Sequence, residues 1–181
     1  MRHRSFDEYL DAWIKHGPAR FAEQFHWHVL IGLHIMGELD EDASRGRGMT
    51  FGSHVDDDTH RGGWLRRRIW PIRKRQYGPA VPHVRIGRLS DSNDLVVQDY
   101  SVSTVHAQIG HTDGQVWIED LGSHNGTQVA TRVLEIDERA RVTDETELVI
   151  GRVKFEYLTF DTFRHRLRTA ARHHSVSSGR A

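Results

Sequence analysis

The chain has 181 residues, with 25 Lys plus Arg against 25 Asp plus Glu and no cysteine. Zero formal charge argues against a general nucleic-acid coat or an acidic solvating tail, and the lack of thiols excludes disulfides, a cysteine nucleophile and Cys-ligated zinc. At 37% hydrophobic residues, the chain can furnish one core and little more.

The first residues turn acidic at Asp7 and Glu8 before any apolar run, so no secretory leader is expected. The longest apolar stretch, 27–36, is broken by His28 and His34 and is far short of the ~20 residues that a membrane helix needs. A cytoplasmic chain without a membrane segment is the expectation. Phe6, Tyr9, Leu10, Trp13 and Ile14 fall at helical spacing, with Asp7, Glu8, Asp11 and Lys15 opposite. Gly17-Pro18 ends that helix, and Pro18 opens a second short one carrying Phe21 and Phe25. Residues 26–32 are β-prone. From 38 to 63 the chain is polar and glycine-rich, as a linker would be.

After Trp64 the pattern becomes short strands between turns. Strands are expected at 69–74, 84–87, 95–97, 107–109, 115–118, 127–130, 132–136, 147–150 and 153–158. Thr112-Asp113-Gly114 is a strong hairpin signal. Turns every eight to twelve residues favour an all-β sandwich. Phe160, Phe163 and Leu167 mark a C-terminal helix. The expected organisation is an accessory segment over 1–63, a sandwich over 64–160, a helix over 161–174 and a disordered tail over 175–181.

Charge is unevenly placed. Glu38, Asp40, Glu41, Asp42 and Asp56 to Asp58 form an acidic zone, and Arg61, Arg66, Arg67, Arg68, Arg73, Lys74 and Arg75 follow it. Arg164, Arg166, Arg168, Arg172 and Arg180 make the end basic. Such blocks read first as solvated surface.

Three segments carry the strongest chemical pattern: Ile86-Gly87-Arg88 followed by Ser92-Asn93-Asp94-Leu95-Val96-Val97, then Val102-Ser103-Thr104-Val105-His106-Ala107, then Asp120-Leu121-Gly122-Ser123-His124-Asn125-Gly126-Thr127. With these the chain resembles the forkhead-associated (FHA) family of phosphothreonine-binding modules, over roughly residues 66–159. A phosphate monoester carries about −1.5 to −2 charges and three acceptor oxygens. Its site needs a planar cationic fork, small hydroxyls and backbone N–H groups held at the tips of rigid strands. Gly126 permits the positive φ of a tight turn, which frees neighbouring N–H groups to point outward.

The resemblance implies an FHA-type β-sandwich with a short helical N-terminal segment and a C-terminal helix. By the same resemblance, Arg88 and Ser103 bind phosphate, while Thr104 and His124 line the pocket. Asn125 holds the peptide main chain. Gly87, His106, Ser123, Gly126 and Thr127 match positions that support the loops. The implied partner is a phosphothreonine-containing protein, either a Ser/Thr kinase or its substrate. Five positions depart from the family pattern: Thr104 stands where a basic residue is frequent, and His124 where Thr, Ser or Arg is frequent. Ala130-Thr131 replaces an Asn-Gly turn, and Glu145 replaces a late glycine.

Rival functions are weaker. No His-Glu-x-x-His run, P-loop or Rossmann glycine pattern is present, so no enzyme, cofactor or metal site is expected. His26, His28, His173 and His174 are too isolated to predict a metal. Nucleic-acid binding through 61–75 and the Arg-rich end, with Trp64 and Trp70 to stack, is the less favoured reading. A phosphate-independent scaffold on the same fold is the nearer alternative.

Overall fold

The computed structural model describes residues 3–36 and 67–178. The polar stretch expected over 38–63 lies outside the described residues, as do 179–181 of the expected tail.

Helix α1, Phe6–Gln24, opens with a capping box: Ser5 Oγ accepts the Glu8 amide at 3.2 Å, and the Ser5 amide donates to Glu8 Oε2 at 2.7 Å. It breaks at Gly17 (φ +75°), directly before Pro18, where the sequence places the junction of two helices. Strand β1 is Val29–Ile35 and β2 is Ile69–Pro71. Then follow β3 Val84–Gly87, β4 Leu95–Val96, β5 Ala107–Thr112 and β6 Gln115–Asp120. Next come β7 Thr127–Val129, β8 Arg132–Val133, β9 Arg139–Val142, β10 Glu147–Ile150 and β11 Val153–Leu158. Helix α2, Phe160–Ser178, closes the chain and carries helical backbone past the end expected at 174.

The strands form two sheets, ordered β2-β1-β11-β10-β7-β8 and β4-β3-β5-β6-β9. Between them lies a core that includes Leu30, Trp70, Ile86, Ile109, Ile118, Leu148, Ile150 and Phe155. A second apolar layer forms on the outer face of the six-stranded sheet. There Val29, Ile31, Ile69 and Leu158 meet Phe6, Tyr9, Trp13, Phe21 and Phe25 of the N-terminal region and Phe163 and Leu167 of α2. Four consecutive buried residues in β1 follow from this arrangement, because both faces of the strand are covered. The 29–35 strand, read from sequence as part of an accessory segment, thus runs inside the sheet between β2 and β11. Among the described residues, no helix is long and apolar enough to cross a membrane.

Several strands differ in extent from the expected ranges, two of them markedly shorter, and one strand is new. Ile69–Pro71 is shorter than the alternating 69–74 pattern, and β8 stops at Val133 where 132–136 was expected. Beyond Pro71, Lys74 leaves strand geometry to reach Asp94 at 2.6 Å. Strand β9 is absent from the expected set because only Ala140 and Val142 point inward, between exposed Arg139 and Arg141.

The β5–β6 hairpin turns on Asp113 (φ +52°) and Gly114 (φ +76°) and closes Thr112 against Gln115, as its sequence requires. The β7–β8 turn is less well matched. Ala130 takes φ +53°, at the first central position of a two-residue turn closing Val129 against Arg132. That conformation costs a non-glycine residue about 1–2 kcal/mol. Set against the extra unfolded-state freedom of glycine, Ala130→Gly is expected to stabilise the fold by roughly 0.5–1 kcal/mol. Urea unfolding checks it; an unchanged or lower midpoint contradicts the strain assigned to this turn.

Candidate functional site

Arg88, Ser103, Thr104, His124 and Asn125 come from three loops and line one open cleft of about 340 Å³, together with Tyr100, Ser101, Val102 and Val105. Arg88 follows directly on β3, and its amide donates to Ser103 O at 2.9 Å. Its Nε donates to Val102 O at 3.2 Å, which points the exposed guanidinium along the cleft wall. No carboxylate pairs with Arg88 among the described residues. Ser103 Oγ accepts the His124 amide at 3.0 Å, so hydroxyl and N–H already converge without a ligand. Asn125 Nδ2 donates to Ser101 O at 2.7 Å and fixes the carboxamide at the rim.

The five supporting positions hold these groups from behind. His106 is fully buried; its Nδ1 accepts the Ser103 amide at 3.0 Å, and its Nε2 donates to Gly126 O at 3.0 Å. The imidazole is therefore neutral with the proton on Nε2, and both nitrogens are spent joining two loops. Burial holds its pKa below the usual histidine value, offset in part by the Gly126 carbonyl and by Asp120. Gly126 (φ +78°) makes the turn, and its amide donates to Ser123 Oγ at 2.9 Å. At Gly87 a Cβ would lie 2.4 Å from Thr104 O and 2.6 Å from Asn93 Oδ1, so the first two loops meet only because that side chain is missing.

The structure gives bracing roles to Asp120 and Asn93, which the sequence pattern contains without assigning them one. Buried Asp120 accepts from the Ser123 amide at 2.8 Å, Ser123 Oγ at 2.7 Å and Thr127 Oγ1 at 2.6 Å. Ser123 and Thr127 thereby serve the loop scaffold and do not line the cleft. An Asp three residues before a Ser is a recognisable turn signal and could have marked this one. Buried Asn93 donates through Nδ2 to Leu89 O at 2.7 Å and Thr104 O at 2.6 Å, stitching the Arg88 loop to the Ser103 loop.

Behind the Ser103 loop, Arg152 meets Asp99 through Nη2 at 3.1 Å, with side chains only 9% and 4% exposed. Ser101 Oγ donates to Asp99 Oδ1 at 2.7 Å and accepts the Arg152 amide at 3.0 Å. Arg152 also lies over the Tyr100 ring, 4.1 Å from its centroid. No local sequence signal announces a pair separated by fifty-three positions.

These groups can bind an anion through a guanidinium, a hydroxyl and a backbone N–H. His106 is committed at both nitrogens and so is not available as a base. The described residues hold no cluster of three or more metal-ligating side chains.

Residues 84–151 match the FHA domain family model. Over 68 residues the chain is 31% identical to an FHA domain-containing protein of Arabidopsis thaliana, covering 38% of this chain and 18% of that protein. It is 38% identical over 68 residues to FhaB, an FHA domain-containing protein of Mycobacterium tuberculosis, covering 38% of each. The chain thus spans 18% and 38% of the lengths of these two relatives. Among solved structures, Mycobacterium tuberculosis EmbR in complex with a low affinity phosphopeptide is 29% identical, with a TM-score of 0.42, covering 51% of this chain and 22% of that one.

Neutral, buried His106 makes stability depend on pH. Below about pH 6.5 the unfolded chain takes up a proton that the folded chain refuses, so stability falls with acidification through that value. His28, also lowered by burial, and His3, lowered to about 4, act in the same direction. Urea unfolding at about pH 7.5 and 5.5 is expected to show lower stability at the acidic pH, with a smaller loss in His106→Gln. An equal loss in the variant would remove His106 from the account.

Proposed function

We propose that this chain, whose residues 84–151 match the FHA domain family model, is a non-catalytic adaptor that binds phosphothreonine peptides in the Arg88–Ser103–Asn125 cleft. The observation that carries the reading is the convergence of five side chains from three loops on one cleft whose arginine has no carboxylate partner among the described residues.

The phosphate sits against the Arg88 guanidinium and the Ser103 hydroxyl, with the His124 amide exchanging its bond to Ser103 Oγ for one to the phosphate. Charge-assisted hydrogen bonds of this kind are worth about 1.5–3 kcal/mol each, more than neutral ones. The donors are held in place before the ligand arrives, so little ordering cost falls on binding. Thr104 and Val105 offer surface beside the phosphate, and the threonine methyl gains up to ~0.8 kcal/mol if fully buried. Asn125 is fixed through Nδ2, and among the described residues its Oδ1 accepts no hydrogen bond. That oxygen takes a peptide N–H. The partner is a cytoplasmic protein modified by a Ser/Thr kinase, or the kinase itself.

Affinity for matched peptides carrying Thr, phosphoserine and phosphothreonine tests the reading. Phosphothreonine is expected to bind at least about tenfold tighter than Thr, and Arg88→Ala to lose about tenfold or more, as for one charged hydrogen bond. Phosphoserine should bind up to about fourfold more weakly than phosphothreonine. Equal affinity for Thr and phosphothreonine would overturn the proposal and leave the phosphate-independent scaffold.

A further inference from the structure

A second cleft of about 820 Å³ shares no lining residue with the Arg88 cleft. It runs along the seam where β2 and β4, edge strands of the two sheets, come together. His3 Nε2 and Trp70 Nε1 both bond Val96 O there, at 3.1 and 3.0 Å. Its walls come from Arg4 and Tyr9, from Phe25 and Trp27 just after α1, and from residues 73–77.

The charges in this cleft do not balance. The carboxylate in its lining, Asp94, is buried and already matched. It pairs with Lys74 at 2.6 Å and accepts the Arg75 and Arg85 amides at 2.9 and 3.0 Å. Arg75 spends Nη1 on the Ser90 and Asn93 carbonyls, at 2.6 and 3.1 Å. Arg4 and Arg73 are exposed, and neither has a carboxylate partner among the described residues. Each lies over a ring instead: Arg73 is 4.5 Å from the Trp27 centroid, and Arg4 is 5.9 Å from that of Tyr9. Burial and, more weakly, Glu8 raise the Tyr9 phenol pKa, while the charges of Arg4 and Arg73 lower it. Both cations therefore lie near one hydroxyl, which makes no hydrogen bond among the described residues.

This arrangement discriminates among anionic partners. A single-stranded nucleic acid needs free ring faces on which successive bases stack. Here Trp27 is held between Arg73 and His26, whose ring centroid lies 4.5 Å away. The Tyr9 ring packs against Phe21, Phe25 and Phe163. Tyr77, 89% exposed, is uncovered, but one ring does not stack a strand. Zero net charge also denies a long polyanion any general attraction. A guanidinium over a ring, by contrast, is weakly hydrated and keeps a fork of N–H donors that matches a carboxylate.

We propose that the β2–β4 seam is a second partner-binding site, for an acidic peptide segment whose Asp or Glu side chains pair with Arg4 and Arg73 beside the Tyr9 and Trp27 rings. It does not rest on the phosphothreonine reading. Binding here follows the partner's composition, whereas the Arg88 cleft answers to its phosphorylation.

The test uses the full chain and a short fluorescence-labelled peptide of Asp, Glu and Ala, free of hydroxyl side chains, at low salt. Its Asn/Gln counterpart is expected to bind about five- to thirtyfold more weakly, as for two partly exposed ion pairs. R4Q/R73Q should lose the same factor for the acidic peptide, while R88A keeps wild-type affinity. Thermal unfolding checks that the double variant folds; if it does not, R73Q alone takes its place, with an expected loss of about two- to fivefold. Equal binding of the two peptides overturns the proposal. So does a loss in R88A with none in R4Q/R73Q, which would assign the acidic peptide to the phosphate cleft. Tighter binding of an oligothymidylate of equal charge, sensitive to R4Q/R73Q, would also overturn it and make the seam a nucleic-acid site.

Discussion

A neutral imidazole with no exposed surface joins two of the three loops on which the cleft is built. His106 takes the Ser103 amide on one nitrogen and gives its proton to the Gly126 carbonyl from the other. Only the neutral tautomer with the proton on Nε2 can do both, and burial keeps the ring in that state. The Ser103 hydroxyl and the His124 amide face each other because of this link. Without it, each loop would have to find its position at the cost of ordering entropy when a ligand arrives.

Around that link, buried polar groups are satisfied in layers. Asp120 gathers three donors from the turn that follows it, while Asn93 ties the Arg88 loop to the Ser103 loop. The Asp99–Arg152 pair stabilises the Ser101 backbone that receives Asn125. Removing one partner of such a buried pair generally costs about 3–5 kcal/mol, since the other charge is left unmatched. The polar interior of the loops is thus cooperative. The exposed guanidinium of Arg88 remains outside it, with its Nε held by the Val102 carbonyl and its charge unneutralised by any described acid. Rigid support behind and unmatched charge in front suit a site for a dianion.

The fold is layered in the same economical way. Two sheets enclose one core, and the outer face of the larger sheet is covered by α1 and α2 through a set of aromatic edge-to-face contacts. Tyr9, Phe21, Phe25 and Phe163 pack within one cluster, so the N-terminal and C-terminal helices share a single apolar layer. The helices cover the sheet and leave the loop end of the sandwich open.

Local chemistry made much of this legible in the sequence. The Gly17-Pro18 break, the Asp113-Gly114 turn and most strands follow from periodicity and turn residues, which act over a few positions. The motif residues were legible as types and spacings, and all five of the expected ligand-facing side chains share one cleft. What escaped was non-local. Strand β9 has two inward residues, one of them alanine, and gains its identity from pairing with β6. The place of β1 inside the sheet depends on β11, more than a hundred residues away, and the role of Arg152 depends on Asp99. By itself the sequence determined the sandwich class, the helix break and the residue types able to hold a phosphate, because backbone preference and side-chain chemistry are local. Only the tertiary structure decided which groups line the cleft and which brace it from behind, since burial and hydrogen-bond partners arise when distant segments pack.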